Sequence, residues 1–368
     1  MAKIYGAPLA LFPPIGEFSP QRVSWEKDLL LAAVEGYVHP ADPDKELTRF
    51  MVPSSVWPLN VHQPSSYCIT FGSQSWRATP DAAPFIPHEI SFINELYREP
   101  RSLAHLIGLS YNQFHILYCA DTGEVSLANE GHQELMLLVV KEGVTVTIQD
   151  TFTGSRPGRL LVGILEQGAQ VTFLSDQSIA TEGYTVQHDR WYVGPQAQLT
   201  VQELVTGGRQ SWLRKEFKLA EKAHLSYTWL SALKGAQQAA LTTVQEHNGA
   251  ASSSQVLVKA ALCEQARSFY RGTIVIDHEA KGSQADQQQR ALMLSPQAKT
   301  CAIPSLEVAT HEVQCQHGSA AGTFSDDELW YLCSRGLSKK DAQRLLLEGF
   351  FNEPGVCRTI RLQDHLVF

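Results

Sequence analysis

The chain has 368 residues, of which 43% are hydrophobic and 18% charged, and its formal net charge is −8. This composition is typical of a soluble globular protein, and the length predicts two or three packed units unless one of them is a long repetitive array. The acidic balance, without a basic run interleaved with aromatic residues, argues against a nucleic-acid partner.

The sequence contains no segment suited to a membrane. It has no apolar window of about 18 residues, and Pro8, Pro13 and Pro14 interrupt the apolar stretch near its start, which makes a poor secretory signal. Its seven cysteines are irregularly spaced and include no CxxC pair, unlike a disulfide framework or a four-cysteine zinc module. We therefore expect a cytoplasmic protein with reduced thiols and no membrane contact.

Residues 1–115 predict an irregular, α-rich lobe. Proline-rich loops such as "FPPIGEF" and "HPADPDK" alternate with two helical patterns. "SWEKDLLLAAVEGY" has a suitable cap in Ser24, and "PHEISFINELYREPRSLAHLIG" spaces Ile90, Ile93 and Leu96 at intervals of about three residues. Nothing in this region points to a function.

Residues 116–322 alternate apolar and polar positions, which predicts strands. Segments such as "RLLVGILEQGAQVTFLSD" share one pattern, in which a strand, a short polar break and a small residue precede a second strand. The small or apolar residue falls at Val144, Ala169, Ala197 and Ala223, with gaps of 25, 28 and 26 residues. "LCEQARSFYRGTIVI" and "LSPQAKTCAIPSLEV" look like later copies. A strand-only repeat of this length predicts a coiled β-solenoid whose turns cover one another.

A β-sandwich or a barrel is the alternative fold for this region. Such folds place turn signals every 8 to 12 residues, without a longer superperiod. The longer superperiod therefore favours the solenoid.

Residues 323–368 predict a helical hairpin. Ser325 with Glu328, and Ser338 with Asp341, have the spacing of capping boxes, and Gly336 suits the residue that ends the first helix. Apolar residues recur on one face of each helix, at Leu329, Leu332 and Cys333 and then at Ala342, Leu345, Leu346 and Phe350. A partner protein could cover such a face.

The stretch "HEVQCQHGSAAG", residues 311–322, contains the strongest candidates for chemistry. If it is extended, His311, Val313, Cys315 and His317 share one face. Thiolate and imidazole suit a soft metal or a sulfur species. Two ligands from one strand are too few for a mononuclear site, so a neighbouring turn or another chain would have to complete it. The alternative is local hydrogen bonding of the histidines, with Cys315 packed beneath them.

Other motifs are weaker. Asp277, His278, Glu279 and Asp286 could be paired as the acid and base of a glycosidase, but charged residues at a turn are usually only solvated. The sequence has no GxSxG, HExxH, EF-hand or phosphate-binding-loop pattern. It therefore predicts no self-sufficient catalytic motif.

Three segments of the C-terminal third are more specific. They are "SFYRGTIVI", "ADQQQRALMLSPQAKTCAIPSLEVATHEVQCQHGSAAG" and "DDELWYLCSRGLSKKDAQRLLLEGFF". Together they resemble the SufB/SufD family of the SUF iron–sulfur cluster assembly machinery, and "QCQHG" resembles its SufD branch. The resemblance spans roughly residues 265–351, and the repeat ahead of it fits the family only in texture.

This resemblance implies a mainly β fold: a right-handed parallel β-helix core, flanked by an N-terminal α-rich lobe and a C-terminal helical hairpin. It also implies a SufB-like partner at the end of the β-helix and a SufC-like ABC ATPase held by the hairpin. An isolated chain could instead pair with a second copy of itself. The partner-binding residues expected on the hairpin are Leu329, Leu332, Leu345, Leu346 and Phe350.

The cysteine-and-histidine motif of the family falls on Cys315 and His317. The resemblance implies that these two residues contribute to a transient iron–sulfur cluster shared with the SufB-like partner, with no cofactor in the isolated chain. SufB-type chains carry a cysteine where this chain has Gln289, so it is not expected to be the primary sulfur acceptor. The expected function is a non-catalytic, SufD-like scaffold subunit whose partner supplies the ATPase activity.

Two other functions stay open at this point. A purely structural docking subunit would leave His317 inert. A β-helix enzyme acting on polysaccharides would need export and either paired carboxylates or a basic substrate stripe, which the net negative charge and the missing signal disfavour.

Overall fold

Strands make up most of the protein. The computed structural model describes residues 66–71, 74–78, 113–131, 133–352 and 366. The strands in these ranges are β1 (Ser66–Phe71), β2 (Gln74–Ala78), β3 (Gln113–Cys119), β4 (Gly123–Asn129), β5 (Gln133–Val140), β6 (Thr145–Gly154), β7 (Gly158–Leu165), β8 (Gln170–Ile179), β9 (Tyr184–Val193), β10 (Gln198–Gly207), β11 (Gln210–Leu219), β12 (His224–Leu233), β13 (Gln238–His247), β14 (Ser253–Leu262), β15 (Arg267–Ile276), β16 (Gln284–Met293), β17 (Lys299–Val308) and β18 (Gln314–Gly322). The helices are α1 (Asp326–Ser334) and α2 (Lys339–Phe351). The two helical patterns predicted within residues 1–115 lie outside the described residues.

Apart from β2, which pairs with β1, the odd-numbered and even-numbered strands build two different sheets. Sheet A has the order β17-β15-β13-β11-β9-β7-β5-β3-β1-β2, and sheet B the order β18-β16-β14-β12-β10-β8-β6-β4. Strand β2 runs antiparallel to β1, whereas the other neighbours, such as β16 and β18, are parallel. Because each strand pairs with the strand two places along the chain, the chain coils from one sheet to the other and back. This pairing confirms the predicted parallel β-solenoid and excludes the sandwich or barrel.

Sheet A begins at β1 and β2, which lie inside the region assigned from the sequence to the N-terminal lobe. The predicted domain boundaries after residues 115 and 322 stay predictions.

Neither helix in the part of the chain that the structure describes is long and apolar enough to cross a membrane.

Tight turns at the corners of the solenoid explain the sequence repeat. The four residues that define it are buried and come just before β6, β8, β10 and β12: Val144, Ala169, Ala197 and Ala223. Each donates its backbone N–H to the carbonyl three residues earlier, as Ala197 does to Gly194 at 3.1 Å. In the predicted later copies Ala266 and Ala298 form the same turn, but before β15 and β17, at the opposite corner. Both corners use the same pattern, so the sequence period does not distinguish them.

Side chains of the two sheets alternate between the inside of the solenoid and its outer surface, and the inward ones form the core. The rings of Phe173 and Trp191 meet edge to face there, with their centroids 5.5 Å apart. Gly163 lies beside Trp191 in the next strand, where a Cβ atom would collide with the indole. The absence of a side chain at Gly163 therefore makes room for Trp191.

Charged side chains occupy part of the same interior. Arg159 donates to both carboxylate oxygens of Asp150, at 2.7 and 2.8 Å, and to Glu134. Farther along, Lys215 lies between one carboxylate of β9 and one of β10. Charges in an apolar interior persist only when they are paired and hydrogen-bonded. Each cation therefore joins carboxylates that come from separate strands of the solenoid.

The C-terminal hairpin packs on the outer face of sheet B. Its buried residues Leu347 and Phe351, together with Leu366, join one apolar cluster with residues of β10, β12, β14 and β16. Those strand residues are Leu204, Leu230, Ala232, Ala261 and Leu292.

Both helices begin at the predicted serines. The Ser338 hydroxyl accepts the backbone N–H of Asp341 at 3.1 Å, whereas Ser325 takes the N-cap position without a side-chain bond. Gly336 follows α1 with a φ of +96°, a left-handed conformation that favours glycine, and its N–H donates to Cys333. The predicted helix boundaries therefore hold, but only the second of the two serines caps its helix through its side chain.

Candidate functional site

Cys315 and His317 lie on the last strand of sheet B. Strand β18 pairs with β16 in parallel, with Cys315 opposite Ala285 and His317 opposite Gln287. Ala285 and Gln287 are buried inward residues, and strands in parallel register keep their side chains on the same side. Cys315 and His317 therefore continue two inward columns at the end of the solenoid. We call this last turn, β17 together with β18, the terminal coil.

Cys315 is half-buried. It packs against the apolar cluster of Ile274, Ile276, Ala280 and Ala285. This burial raises the pKa of the Cys315 thiol, which keeps the thiol protonated at neutral pH. Binding a metal would release that proton, because the thiolate is the form that coordinates.

His317 is exposed, and so is His311, but the two residues lie in different surroundings. His317 is within β18, whereas His311 lies in the bend between β17 and β18. The predicted common face of the stretch therefore holds for Cys315 and His317 within the strand. Val313 packs in the same apolar cluster as Cys315.

The terminal coil does not form a complete metal site by itself. No group of three or more histidine, cysteine, aspartate or glutamate side chains is close enough to hold an ion in the described part of the chain. A mononuclear site takes three or four protein ligands. Cys315 and His317 can therefore act only as part of a ligand set that other groups complete.

Apolar side chains surround this pair at the end of the solenoid. Leu306 and Val308 of β17 lie in register with the buried residues Ile274 and Ile276, yet they are 38% and 44% exposed. They extend the apolar core to a surface that no further turn covers among the described residues. Sequence reasoning missed both residues, although the alternation in "SLEV" near the end of the last repeat could have indicated them.

The alternative acid–base candidates lie in a turn and in the strand that follows it. Asp277, His278 and Glu279 form an exposed turn between β15 and β16, where His278 Nδ1 is 2.5 Å from Asp277. Asp286 lies in β16 and accepts the amide of Gln288 at 3.1 Å. This arrangement agrees with the interpretation that the turn is simply solvated.

The hairpin residues predicted to bind a partner have different environments. Leu345 is exposed, and Leu329, Leu332 and Leu346 are half-buried. Phe350 packs against the solenoid, where the ammonium of Lys259 lies 5.2 Å from its ring centroid and donates to its carbonyl oxygen.

Two aromatic residues of α1 were missed. Trp330 is 73% exposed and Tyr331 is 53% exposed, which makes them the most exposed large hydrophobic residues of the described chain. The sequence motif that could have indicated them is "ELWYLC", because two adjacent aromatic residues cannot both point to one face of a helix.

Comparison with known proteins assigns a family to this architecture. Residues 123–350, more than half of the chain, match the model for "SUF system FeS cluster assembly, SufBD core domain". The chain is 26% identical to an iron–sulfur cluster assembly SufBD family protein of Synechocystis sp. over 235 residues, covering 60% of this chain and 52% of that protein.

Two proteins named iron–sulfur cluster assembly protein SufD match a shorter stretch. The Bacillus subtilis protein is 35% identical over 117 residues, covering 32% of this chain and 27% of the relative. The Escherichia coli protein is 29% identical over 108 residues, covering 29% of this chain and 26% of the relative. The chain thus matches about half the length, or less, of these relatives. It belongs to the SufB/SufD family of the SUF iron–sulfur cluster assembly system and resembles the SufD branch.

Proposed function

We propose that this chain is a scaffold subunit of a SUF iron–sulfur cluster assembly complex, without catalytic activity of its own. In this role Cys315 and His317 contribute ligands to a nascent cluster, and a SufB-like partner contributes the others. One observation supports the proposal most: a thiol and an imidazole lie on neighbouring inward positions of a strand at the end of the solenoid, which no further strand of the described chain covers.

The SufB-like partner would bind at the terminal coil. The outer edges of β17 and β18 carry backbone groups that pair with no further strand of the described chain, and such edges readily accept another chain. Leu306 and Val308 add apolar area that a partner would remove from water. A second copy of this chain could occupy the same edge when the partner is absent.

A SufC-like ABC ATPase would bind the helical hairpin. Leu345 of α2, together with Trp330 and Tyr331 of α1, gives this side of the molecule exposed apolar and aromatic side chains. Tryptophan and tyrosine are enriched among the residues that dominate binding energy in protein interfaces. Among the predicted hairpin residues, Phe350 contributes less because Lys259 and sheet B already contact it.

The nascent cluster would be cargo rather than a resident cofactor. Iron or cluster binding at Cys315 would displace the thiol proton, and His317 would supply one imidazole nitrogen. Because the two residues cannot complete a site alone, the cluster would form only in the complex. A cytoplasmic, reducing compartment would keep the Cys315 thiol available for this role.

The test is anaerobic co-expression of this chain with SufB-like and SufC-like proteins of its own genome. His317→Ala is compared with wild type and with His311→Ala, a matched control that removes an exposed histidine outside β18. The visible absorbance of the purified complexes reports the cluster. We expect colour in wild type and in His311→Ala, and its loss in His317→Ala while the subunits still co-purify.

A structural docking subunit is the second candidate, and it is favoured because the described residues place no third histidine, cysteine, aspartate or glutamate ligand beside Cys315 and His317. Equal colour in all three complexes would support this second function and reject a cluster-building role for His317. Failure of the three proteins to co-purify would reject the assembly complex itself.

A further inference from the structure

A chain of buried hydrogen bonds runs through the solenoid toward the terminal coil. His247 is fully buried, and its Nδ1 and Nε2 atoms lie 2.7 Å from Ser252 Oγ and 2.8 Å from Ser254 Oγ. Ser254 Oγ donates to Gln245 Oε1 at 2.7 Å, and Gln245 Nε2 donates to Gln287 Oε1 at 3.1 Å. We call these five side chains the relay.

The relay has a direction because each group in it has limited roles. Burial lowers the pKa of His247 to about 4, so at neutral pH its ring has one donor and one acceptor nitrogen. With Ser254 donating to Gln245, the histidine carries its proton on Nε2 and accepts at Nδ1. Ser252 then gives its one hydroxyl proton to the ring and not to the carbonyl of Gly249, 2.9 Å away, which Ser283 Oγ reaches at 3.3 Å instead. Gln287 then receives a hydrogen bond at its oxygen, and its amide N–H groups point elsewhere.

Gln287 is held in one position inside the solenoid. It is 1% exposed, and its side chain crosses to Gly272 of sheet A, where a Cβ atom would collide with the amide. Its Nε2 atom has no hydrogen-bond partner among the residues that the structure describes. A buried donor without a partner is costly, so a ligand that accepts from it would be favoured.

Gln289, one inward position further along β16, has the opposite orientation, because its oxygen rather than its nitrogen is directed to the terminal coil. Its oxygen accepts the Ser319 hydroxyl at 2.8 Å, and its Nε2 atom also has no partner within the described ranges. Gln287 and Gln289 lie opposite His317 and Ser319 of β18. The terminal coil is therefore the last turn of the described chain, and its strand β18 lies next to the strand that carries both glutamines.

We propose that Gln287 is a positioning residue of the candidate site: its amide N–H groups face the terminal coil and favour an anionic sulfur, as sulfide or thiolate, beside His317. The relay sets the orientation of Gln287. This inference rests on the proposed cluster-building function. Neutral amide donors suit a sulfur atom that also binds iron, because they stabilise its charge without competing for the metal.

The first test uses the isolated full-length chain. ¹⁵N NMR of histidine-labelled protein distinguishes the two neutral tautomers of a buried histidine. We expect His247 to carry its proton on Nε2, as the relay requires. A proton on Nδ1 would reverse every hydrogen bond of the relay, turn the oxygen of Gln287 toward the terminal coil and overturn the assignment for Gln287.

The second test uses the assembled complex and compares Gln287→Met with wild type. Methionine keeps the approximate length of the side chain and removes its donors. Gln284→Met, at an exposed position of the same strand, is the matched control. Hydrogen bonds to cluster sulfurs help to set the reduction potential. We expect a more negative cluster potential in Gln287→Met and an unchanged potential in Gln284→Met.

The outcomes separate this inference from the proposed function. A coloured wild-type complex whose potential is unchanged in Gln287→Met would overturn the inference and leave the function intact. A colourless wild-type complex would reject the function, whereas the tautomer of His247 would still decide the orientation of Gln287. A thermal melt of each variant identifies misfolding, and if Gln287→Met does not fold, the wild-type NMR measurement decides for that residue.

Discussion

Lys215 offers the sharpest test of how the interior is held together. Its ammonium lies 2.5 Å from Asp189 Oδ2 and 2.6 Å from Glu203 Oε1, and Tyr227 donates to the other oxygen of Glu203 at 2.6 Å. Burial alone would lower the pKa of Lys215, but the charges of Asp189 and Glu203 outweigh it and raise the pKa above its usual value. The cation is therefore present throughout the neutral range.

Replacing Lys215 by methionine leaves two buried carboxylates, Asp189 and Glu203, without their cation. Breaking a buried ion pair from one side costs about 3–5 kcal/mol in the free energy of unfolding. We expect that loss at pH 7.5. Lysine and methionine have similar length, so lost charge pairing rather than lost volume would dominate the effect.

The pH dependence gives a second, independent signature. The raised pKa of Lys215 adds stability that is fully present below the unfolded pKa and is lost only when the pH rises through the folded value. The lysine therefore adds no slope in wild type between pH 5.5 and 7.5. Without it, the folded variant binds protons on its carboxylates that the unfolded chain releases. As the pH rises, the free energy of unfolding of the variant should then fall by about 1.4 kcal/mol per pH unit for each such proton.

The assay is urea unfolding at pH 5.5, 6.5 and 7.5, followed by fluorescence of the buried residues Trp191 and Trp229. Lys218→Met is the matched control on the same strand, because Lys218 forms a partly exposed pair with Glu246 and its loss should cost only about 0–1 kcal/mol. A deficit below about 1 kcal/mol in Lys215→Met, or one of constant size from pH 5.5 to 7.5, would refute the reasoning.

Three further predictions concern other parts of the solenoid. Gly163→Ala should lower the free energy of unfolding by about 1–3 kcal/mol, because the added methyl group collides with Trp191; urea unfolding measures this, and an unchanged midpoint would contradict it. Because the pKa of His247 is lowered to about 4, its contribution to the free energy of unfolding is present above pH 6.5 and is lost as the pH falls toward 4. His247→Gln should therefore flatten the acid side of the profile of stability against pH. An unaltered profile would contradict this role of His247. Leu347→Ala should cost about 2–5 kcal/mol by emptying the cluster beneath α2; if hydrogen exchange of α2 is not faster in this variant, the packing of the hairpin is not what stabilises it.

The solenoid could be predicted because its corners repeat. Buried residues such as Ala169 and Ala197 recur wherever a turn stacks on the turn before it, and that spacing is visible in the sequence. The charged interior could not be predicted. Lys215 stands in "WLRKEF" between polar neighbours and resembles a surface residue, and only its position over Asp189 of β9 makes it internal.

The candidate site was predictable in part. The spacing of Cys315 and His317 predicts one shared face, but not that this face belongs to the last strand of a stack. The pairing of His317 with Gln287 depends on the length of the corner turns, which the alternation of residues does not encode. The sequence does not predict Trp330, because the helical apolar face runs through its leucine neighbours and the exposed aromatic side chain lies off that face.

The connection between the terminal coil and the hairpin has a mechanical consequence. Strand β18 ends at Gly322 and α1 begins at Asp326, so the link between them can reach only about 14 Å even when fully extended. Helix α2, in contrast, is fastened to the side of the solenoid by its apolar cluster and by the bond from Lys259 of β14 to Phe350. A load on α1 is therefore transmitted along a short link, and it is shared between the strand that carries Cys315 and His317 and the apolar cluster of sheet B, on which Phe324 of the link packs.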